Sequence, residues 1–160
     1  MAQMTDGGDR TNRRSLAQLV GLVLGITYLA VGLIGFAVTN GVEFAGTEGE
    51  KLLGLFEINP LHNVVHLAVG AALLWGATAG RNAARAINAT VGATYLLVGI
   101  AGLFVSGNND ANVLALNAAD NALHLGSAIV LLASAMMSTD TETRSATTTG
   151  TRGRTTTGTR

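Results

Sequence analysis

The chain has 160 residues, of which 48% are hydrophobic and only 12% are charged, about half the share of charged residues in a typical soluble domain. Ten basic and ten acidic side chains give a net charge of zero, so the sequence offers no basic surface for nucleic acid. The absence of cysteine excludes disulfide frameworks, thiolate-bound zinc, iron–sulfur clusters and cysteine nucleophiles.

Four apolar segments are long enough to cross a bilayer, which takes about 20 residues of helix. The first three are built on charge-free stretches, and Asp120 alone interrupts the fourth. A soluble four-helix bundle would need a polar stripe on each helix, and the first segment offers only Gln18, Thr27 and Tyr28. We therefore predict an all-α, four-helix transmembrane bundle with spans at about 16–38, 60–79, 84–105 and 115–137.

The polar ends of the chain flank this membrane domain. We predict a polar N-terminus over residues 1–14, the four-span domain over 15–138 and a disordered tail over 139–160. The tail is of low complexity, since TTTGTR occurs at 147–152 and again at 155–160. Threonine, glycine and arginine cannot bury enough apolar area to offset the entropy of an ordered chain.

The distribution of basic residues predicts how the chain crosses the membrane. Basic side chains flank the first span, join the second span to the third and follow the fourth: Arg10, Arg13, Arg14, Arg81, Arg85 and Arg144. The two other loops are acidic, and cytoplasmic loops carry the excess of Lys and Arg. We therefore expect a multi-pass protein of the cytoplasmic membrane with both termini in the cytoplasm. Its expected partners are the lipid bilayer and a second copy or another membrane protein.

The membrane domain contains an internal repeat. GITYLAVGLIG at 25–35 and GATYLLVGIAG at 92–102 agree at seven of eleven positions. The repeats cover about 15–80 and 81–138, and each forms a helical hairpin of the same topology. We therefore predict two hairpins related by a pseudo-two-fold axis along the membrane normal.

Glycines recur at the same places in both repeats, at Gly25, Gly32 and Gly35 in the first. Small residues on one helix face allow two backbones to approach closely. Such a face can form a homodimer or pack within the bundle. Because the pattern occurs in both halves, we favour packing within the bundle.

Polar side chains align between the second helices of the two repeats. His62 and His66 are four residues apart and share one helix face. The pseudo-symmetry predicts one cluster at the outward side, with two tyrosines from the middle of their spans facing it. Its predicted members are Asn59, His62, Asn63, His66, Asn117, Asp120, Asn121, His124, Tyr28 and Tyr95.

Three interpretations of this cluster are open. The favoured one is a network of interhelical hydrogen bonds that locks the hairpins together, in a structural or interaction protein without a cofactor. The second is a divalent metal held by His62, His66, Asp120 and His124. The third is b-type haem with His66 and His124 as axial ligands. No hydrolase or nucleotide-binding motif is present, so we expect no enzymatic activity and no catalytic residue.

Two motifs carry a family resemblance. LGLFEINPLHNVVHL at 53–67 and LNAADNALHL at 116–125 resemble the prokaryotic four-span membrane family known as domain of unknown function 4383, over about residues 14–137. The resemblance implies a small multi-pass membrane protein and brings no activity, cofactor or catalytic residue with it.

Overall fold

A computed structural model describes residues 14–107 and 109–152, with side chains as far as Ser138. The elements in chain order are α1 (Leu16–Val38), β1 (Glu50–Leu52), β2 (Phe56–Ile58), α2 (Pro60–Ala79), α3 (Arg81–Val105) and α4 (Ala118–Arg152). All four helices are long and apolar enough to cross a membrane, α4 through its part Ala118–Ser138. The predicted four-helix transmembrane bundle is confirmed.

The helix ends differ slightly from those predicted for the third and fourth spans. α3 begins at Arg81, directly after Gly80, whose φ of 130° makes the turn out of α2. α4 begins at Ala118 because the side chain of Asn117 accepts hydrogen bonds from the N–H groups of Ala119 and Asp120. A side-chain oxygen in this position satisfies the first free N–H groups and so fixes where a helix starts.

The structure bears differently on the predictions for the two ends of the chain. The predicted polar N-terminus lies outside the described residues except for residue 14. The sequence predicts disorder from residue 139, whereas the backbone of α4 continues as helix to Arg152. Extending an existing helix avoids the cost of nucleating a new one, which allows the weak helix formers of residues 139–152 to continue α4. Residues 153–160 lie outside the described part of the chain.

Sequential helices pack in pairs, α1 on α2 and α3 on α4. The repeated glycines lie in these contacts: a methyl group at Gly25 would meet Leu74, and one at Gly99 would meet Leu125. Gly92 faces Leu131 and Leu132 in the same way. The glycine face therefore packs within the bundle, as the repetition in both halves indicates. The pseudo-two-fold axis itself stays a prediction.

The outer surface of the bundle is apolar. Large hydrophobic side chains stand exposed on every helix, among them Leu33, Trp75, Leu97, Phe104 and Ile129. Since soluble proteins rarely expose such contiguous apolar surface, these side chains face lipid.

One end of the bundle carries the connections 39–59 and 106–117, and we call it the hairpin end. There β1 and β2 form an antiparallel hairpin in which Lys51 pairs with Glu57. The turn between them passes through Leu53 and Gly54, both with positive φ. The sequence analysis did not predict this hairpin, because its strands are only three residues long.

We call the opposite end, where α1 and α3 begin, the terminal end. There Asn88 of α3 donates hydrogen bonds to the carbonyl of Ala17, at 2.9 Å, and to the hydroxyl of Ser134, at 3.0 Å. Ser138 accepts a hydrogen bond from the Ala17 N–H at 3.2 Å. These bonds tie α1, α3 and α4 together.

Candidate metal centre

Asn59 organises the hairpin end from the start of α2. Its Oδ1 accepts a hydrogen bond from the His62 N–H at 2.9 Å, and Pro60 occupies the first helical position. Asn and Pro in these places are typical of a helix start. The Asn59 Nδ2 donates to the carbonyls of Gly46 and Val113, both at 2.8 Å, so one side chain holds both loops against α2.

Asp120 and Asn117 likewise bind backbone groups at the start of α4 and in the β-hairpin. The Asp120 Oδ2 accepts hydrogen bonds from the N–H groups of Asn117, at 3.0 Å, and Glu57, at 3.1 Å. The Asn117 Nδ2 donates to the carbonyl of Leu55 at 2.9 Å. The β-hairpin is therefore fastened to the first turn of α4.

Asn63 and Asn121 make matching contacts in the two halves. Each side chain lies directly against a glycine of the preceding helix, Asn63 on Gly35 and Asn121 on Gly102, where a methyl group would collide with the amide. Asn63 also donates to the hydroxyl of Thr39 at 3.0 Å. These asparagines hold each helix pair together, α1 to α2 and α3 to α4.

Three imidazoles meet inside the bundle. His62 and His66 come from successive turns of α2, and His124 comes from α4; their exposed fractions are 1%, 3% and 3%. The ring centroids of His62 and His66 lie 4.4 Å apart, and those of His62 and His124 lie 5.7 Å apart. One nitrogen from each ring can be chosen so that all three lie within 4.8 Å of one another. We call this group the imidazole centre.

Five of the six ring nitrogens in the imidazole centre lack hydrogen-bond partners among the described residues. Both ring nitrogens of His62 and of His66 are buried without a partner, and so is Nδ1 of His124. Buried polar groups are almost always paired, and each unsatisfied one costs about 1–3 kcal/mol. These nitrogens therefore need a partner from outside the chain, such as an ordered water molecule or a bound ion.

Two tyrosines line the imidazole centre. The ring of Tyr28 lies 5.2 Å from that of His66, and the ring of Tyr95 lies 5.0 Å from that of His124. Tyr28 donates its hydroxyl hydrogen to Ser127 at 2.7 Å, whereas the buried Tyr95 hydroxyl has no partner among the described residues. Both mid-span tyrosines thus face the bundle interior.

The structure divides the predicted cluster into two groups. His62, His66, His124 and the two tyrosines come together, whereas the asparagines contact loops, glycines and helix starts. Asp120, which the sequence analysis placed among the metal ligands, does not belong to the group of converging ligand atoms. An aspartate in the first turn of a helix is favourably placed to bind backbone N–H groups, and Asp120 does so.

Sequence reasoning missed the polar contacts of the serines on α4 and of Asn88. Ser127, Ser134 and Ser138 are all buried, and so is Asn88. A signal was present, because the serines are spaced by seven and four residues and therefore share one helix face.

Four spanning helices with a polar interior define a multi-pass membrane protein of the helical-bundle class. Residues 18–137 match the family described as Domain of unknown function (DUF4383). The match covers most of the chain, so the protein belongs to that family. No curated protein and no solved structure matches it.

Proposed function

We propose that this protein binds a transition-metal ion inside the membrane, with His62, His66 and His124 as ligands. One observation carries the proposal: three buried imidazoles converge, and five of their six ring nitrogens are buried without a hydrogen-bond partner among the described residues. Imidazole is a common ligand of zinc, copper, iron and nickel. A bound ion would satisfy one nitrogen of each ring at once.

The geometry suits a small ion. With metal–nitrogen bonds of about 2.0 Å, nitrogens on one ion lie about 3.3–3.5 Å apart. The present separations, all within 4.8 Å, need only small side-chain rotations to reach this value. Two ligands from α2 and one from α4 would connect the two halves of the bundle through the ion.

Hydrogen-bond acceptors lie close to His62 for the ring nitrogen that would not bind the ion. The backbone carbonyls of Leu114 and Glu57 approach the His62 ring without making a hydrogen bond of normal geometry. A metal-bound histidine usually donates its second N–H to a carbonyl or carboxylate, which fixes the ring orientation. The loops at the hairpin end therefore supply part of the surroundings that such a site needs.

A bare ion fits this centre better than haem does. The His66 and His124 rings lie 6.3 Å apart, but the His62 ring stands beside both. Tyr28 and Tyr95 pack against the same rings. A haem between His66 and His124 would need a flat apolar slot, and these three rings fill the surrounding space.

The hydrogen-bonded part of the predicted cluster supports a second, structural role. Asn59 joins both loops to α2, and Asp120 joins the β-hairpin to α4. We propose that these residues hold the hairpin end closed over the imidazole centre. In this proposal the protein is a binding protein without catalytic residues.

The membrane orientation forms part of the proposal. The basic flanks favour the cytoplasmic membrane with both termini inside. Because the chain has no cysteine, a single Thr47→Cys variant provides a clean probe. It should react with a membrane-impermeant maleimide on intact cells, whereas Thr147→Cys should react only after permeabilisation. The reverse pattern would invert the orientation.

Metal analysis tests the proposed function. Protein purified in detergent with a tag free of histidine is loaded with copper or zinc, desalted and analysed by mass spectrometry for bound metal. We expect one ion per chain, lost in His66→Leu and in His124→Leu. Ser127→Ala is the matched control, since it changes a buried polar residue one turn from His124 and leaves all three imidazoles. A folded wild-type protein that retains no more metal than His66→Leu would refute the proposal.

A further inference from the structure

No carboxylate joins the converging ligand atoms of the imidazole centre. Asp120 is the only acidic residue in the described spans, and its Oδ2 accepts two backbone hydrogen bonds. Glu57, the nearest acidic residue of the hairpin, accepts a hydrogen bond from the Gly49 N–H. Neither carboxylate belongs to the group of converging ligand atoms. An ion held by three neutral imidazoles would therefore keep its full charge.

The charge of the ion decides how costly its burial is. The solvation energy lost on moving an ion into an apolar medium grows with the square of its charge, so a divalent ion loses roughly four times as much as a univalent ion of equal size. The centre lies inside an apolar bundle surrounded by lipid, where the loss is large. The apolar interior of the bundle therefore favours a univalent ion over a divalent one.

The number of ligands also favours a univalent ion. Zn(II) is almost always four-coordinate and takes water or another side chain where the protein provides three ligands. The rings of Tyr28 and Tyr95 lie 5.2 Å from His66 and 5.0 Å from His124 and take up space beside the centre. Cu(I), with its filled d shell and single charge, is stable with three ligands in a plane. Among first-row transition metals it is the univalent ion that occurs in cells.

We infer that the ion bound by His62, His66 and His124 is Cu(I). This inference rests on the proposed function and makes it specific: the protein holds cuprous ions within the bilayer. It requires no redox step in the protein, because the ion is bound in the reduced form.

A competition titration measures the selectivity. Under anaerobic conditions with ascorbate, the detergent-purified protein competes with bicinchoninate for Cu(I), and a parallel titration with a chromophoric chelator measures Zn(II). We expect one Cu(I) per chain, bound at least about tenfold more tightly than Zn(II). His66→Leu should weaken Cu(I) binding by at least about 100-fold, since even loss of an outer-shell partner costs about 10- to 100-fold.

A Tyr95→Phe variant separates the two kinds of ion. A divalent ion could recruit the Tyr95 oxygen as an anionic fourth ligand, so its binding would weaken in Tyr95→Phe. Cu(I) held by the imidazoles alone should lose less affinity in Tyr95→Phe than Zn(II) does. X-ray absorption of the copper-loaded protein should show three nitrogen neighbours.

The outcomes distinguish the inference from the proposed function. Tighter binding of Zn(II) than of Cu(I), or a larger loss of Cu(I) affinity than of Zn(II) affinity in Tyr95→Phe, would overturn the cuprous assignment and leave a metal site. Binding of neither ion to the folded wild-type protein would overturn both.

Discussion

The two ends of this bundle bury polar side chains in opposite ways. At the terminal end, Asn88 donates to Ala17 and Ser134, so its donors find partners within the chain and only its Oδ1 lacks one among the described residues. At the hairpin end, the nitrogens of His62 and His66 have no partner among the described residues. Hydrogen bonds within the chain stabilise the fold, whereas unpartnered donors and acceptors lower its stability. The comparison indicates a structural cluster at one end and a binding site at the other.

The largest effect should come from adding metal. Saturating Cu(I), at about 1,000 times its dissociation constant, should raise the free energy of unfolding by about 4 kcal/mol. His124→Leu should abolish this gain, and Asn88→Leu should keep it, because only the imidazole centre binds the ion. Thermal unfolding in detergent, with and without metal, measures both. Equal gains in all three proteins would erase the distinction between the two ends.

The next effect should come from Asn88. Replacing it with leucine removes two hydrogen bonds and leaves the Ser134 hydroxyl and the Ala17 carbonyl with fewer partners. We expect the free energy of unfolding to fall by about 1–3 kcal/mol. Unfolding in increasing dodecyl sulfate measures the loss, with exposed Thr94→Ala on the same helix as the control. An unchanged stability would show that this cluster is not structural.

Replacing His66 should change the free energy of unfolding less than replacing Asn88 does, and in the opposite direction. In metal-free protein, His66→Leu loses no hydrogen bond and removes two buried, unpartnered nitrogens. Its free energy of unfolding should be unchanged or higher by about 1 kcal/mol. The same dodecyl sulfate titration provides the measurement. Destabilisation as large as that of Asn88→Leu would mean that His66 has a structural role.

The smallest effect concerns Tyr28, which lies beside the imidazole centre. Tyr28→Phe removes the hydrogen bond to Ser127 and should cost about 0.6–1 kcal/mol, the usual value inside a membrane protein. Ser127→Ala should cost a similar amount, and the double variant should cost no more than either alone. Fully additive losses would show that the two hydroxyls are not coupled.

The contacts of the cluster explain which parts were predictable. The pair His62 and His66 was visible in the sequence, because a spacing of four places two side chains on one face of any helix. The repeat then indicated His124 as their partner from α4. Asp120 shared the same alignment, yet its position in the first turn of α4 let backbone N–H groups compete for its carboxylate. That competition depends on where β2 lies, and no local pattern encodes it.

By itself, the sequence determined the four spans and the close glycine contacts, because bilayer thickness fixes how long an apolar helix must be. The start of α2 also depends on local sequence, because the Asn59 side chain caps the helix and Pro60 occupies its first position. Only the tertiary structure decided how the other polar groups pair: Asp120 binds backbone N–H groups of the β-hairpin and of α4, and Asn88 binds Ala17 and Ser134. These contacts depend on how each helix is rotated and placed against its neighbours, which many side chains set jointly.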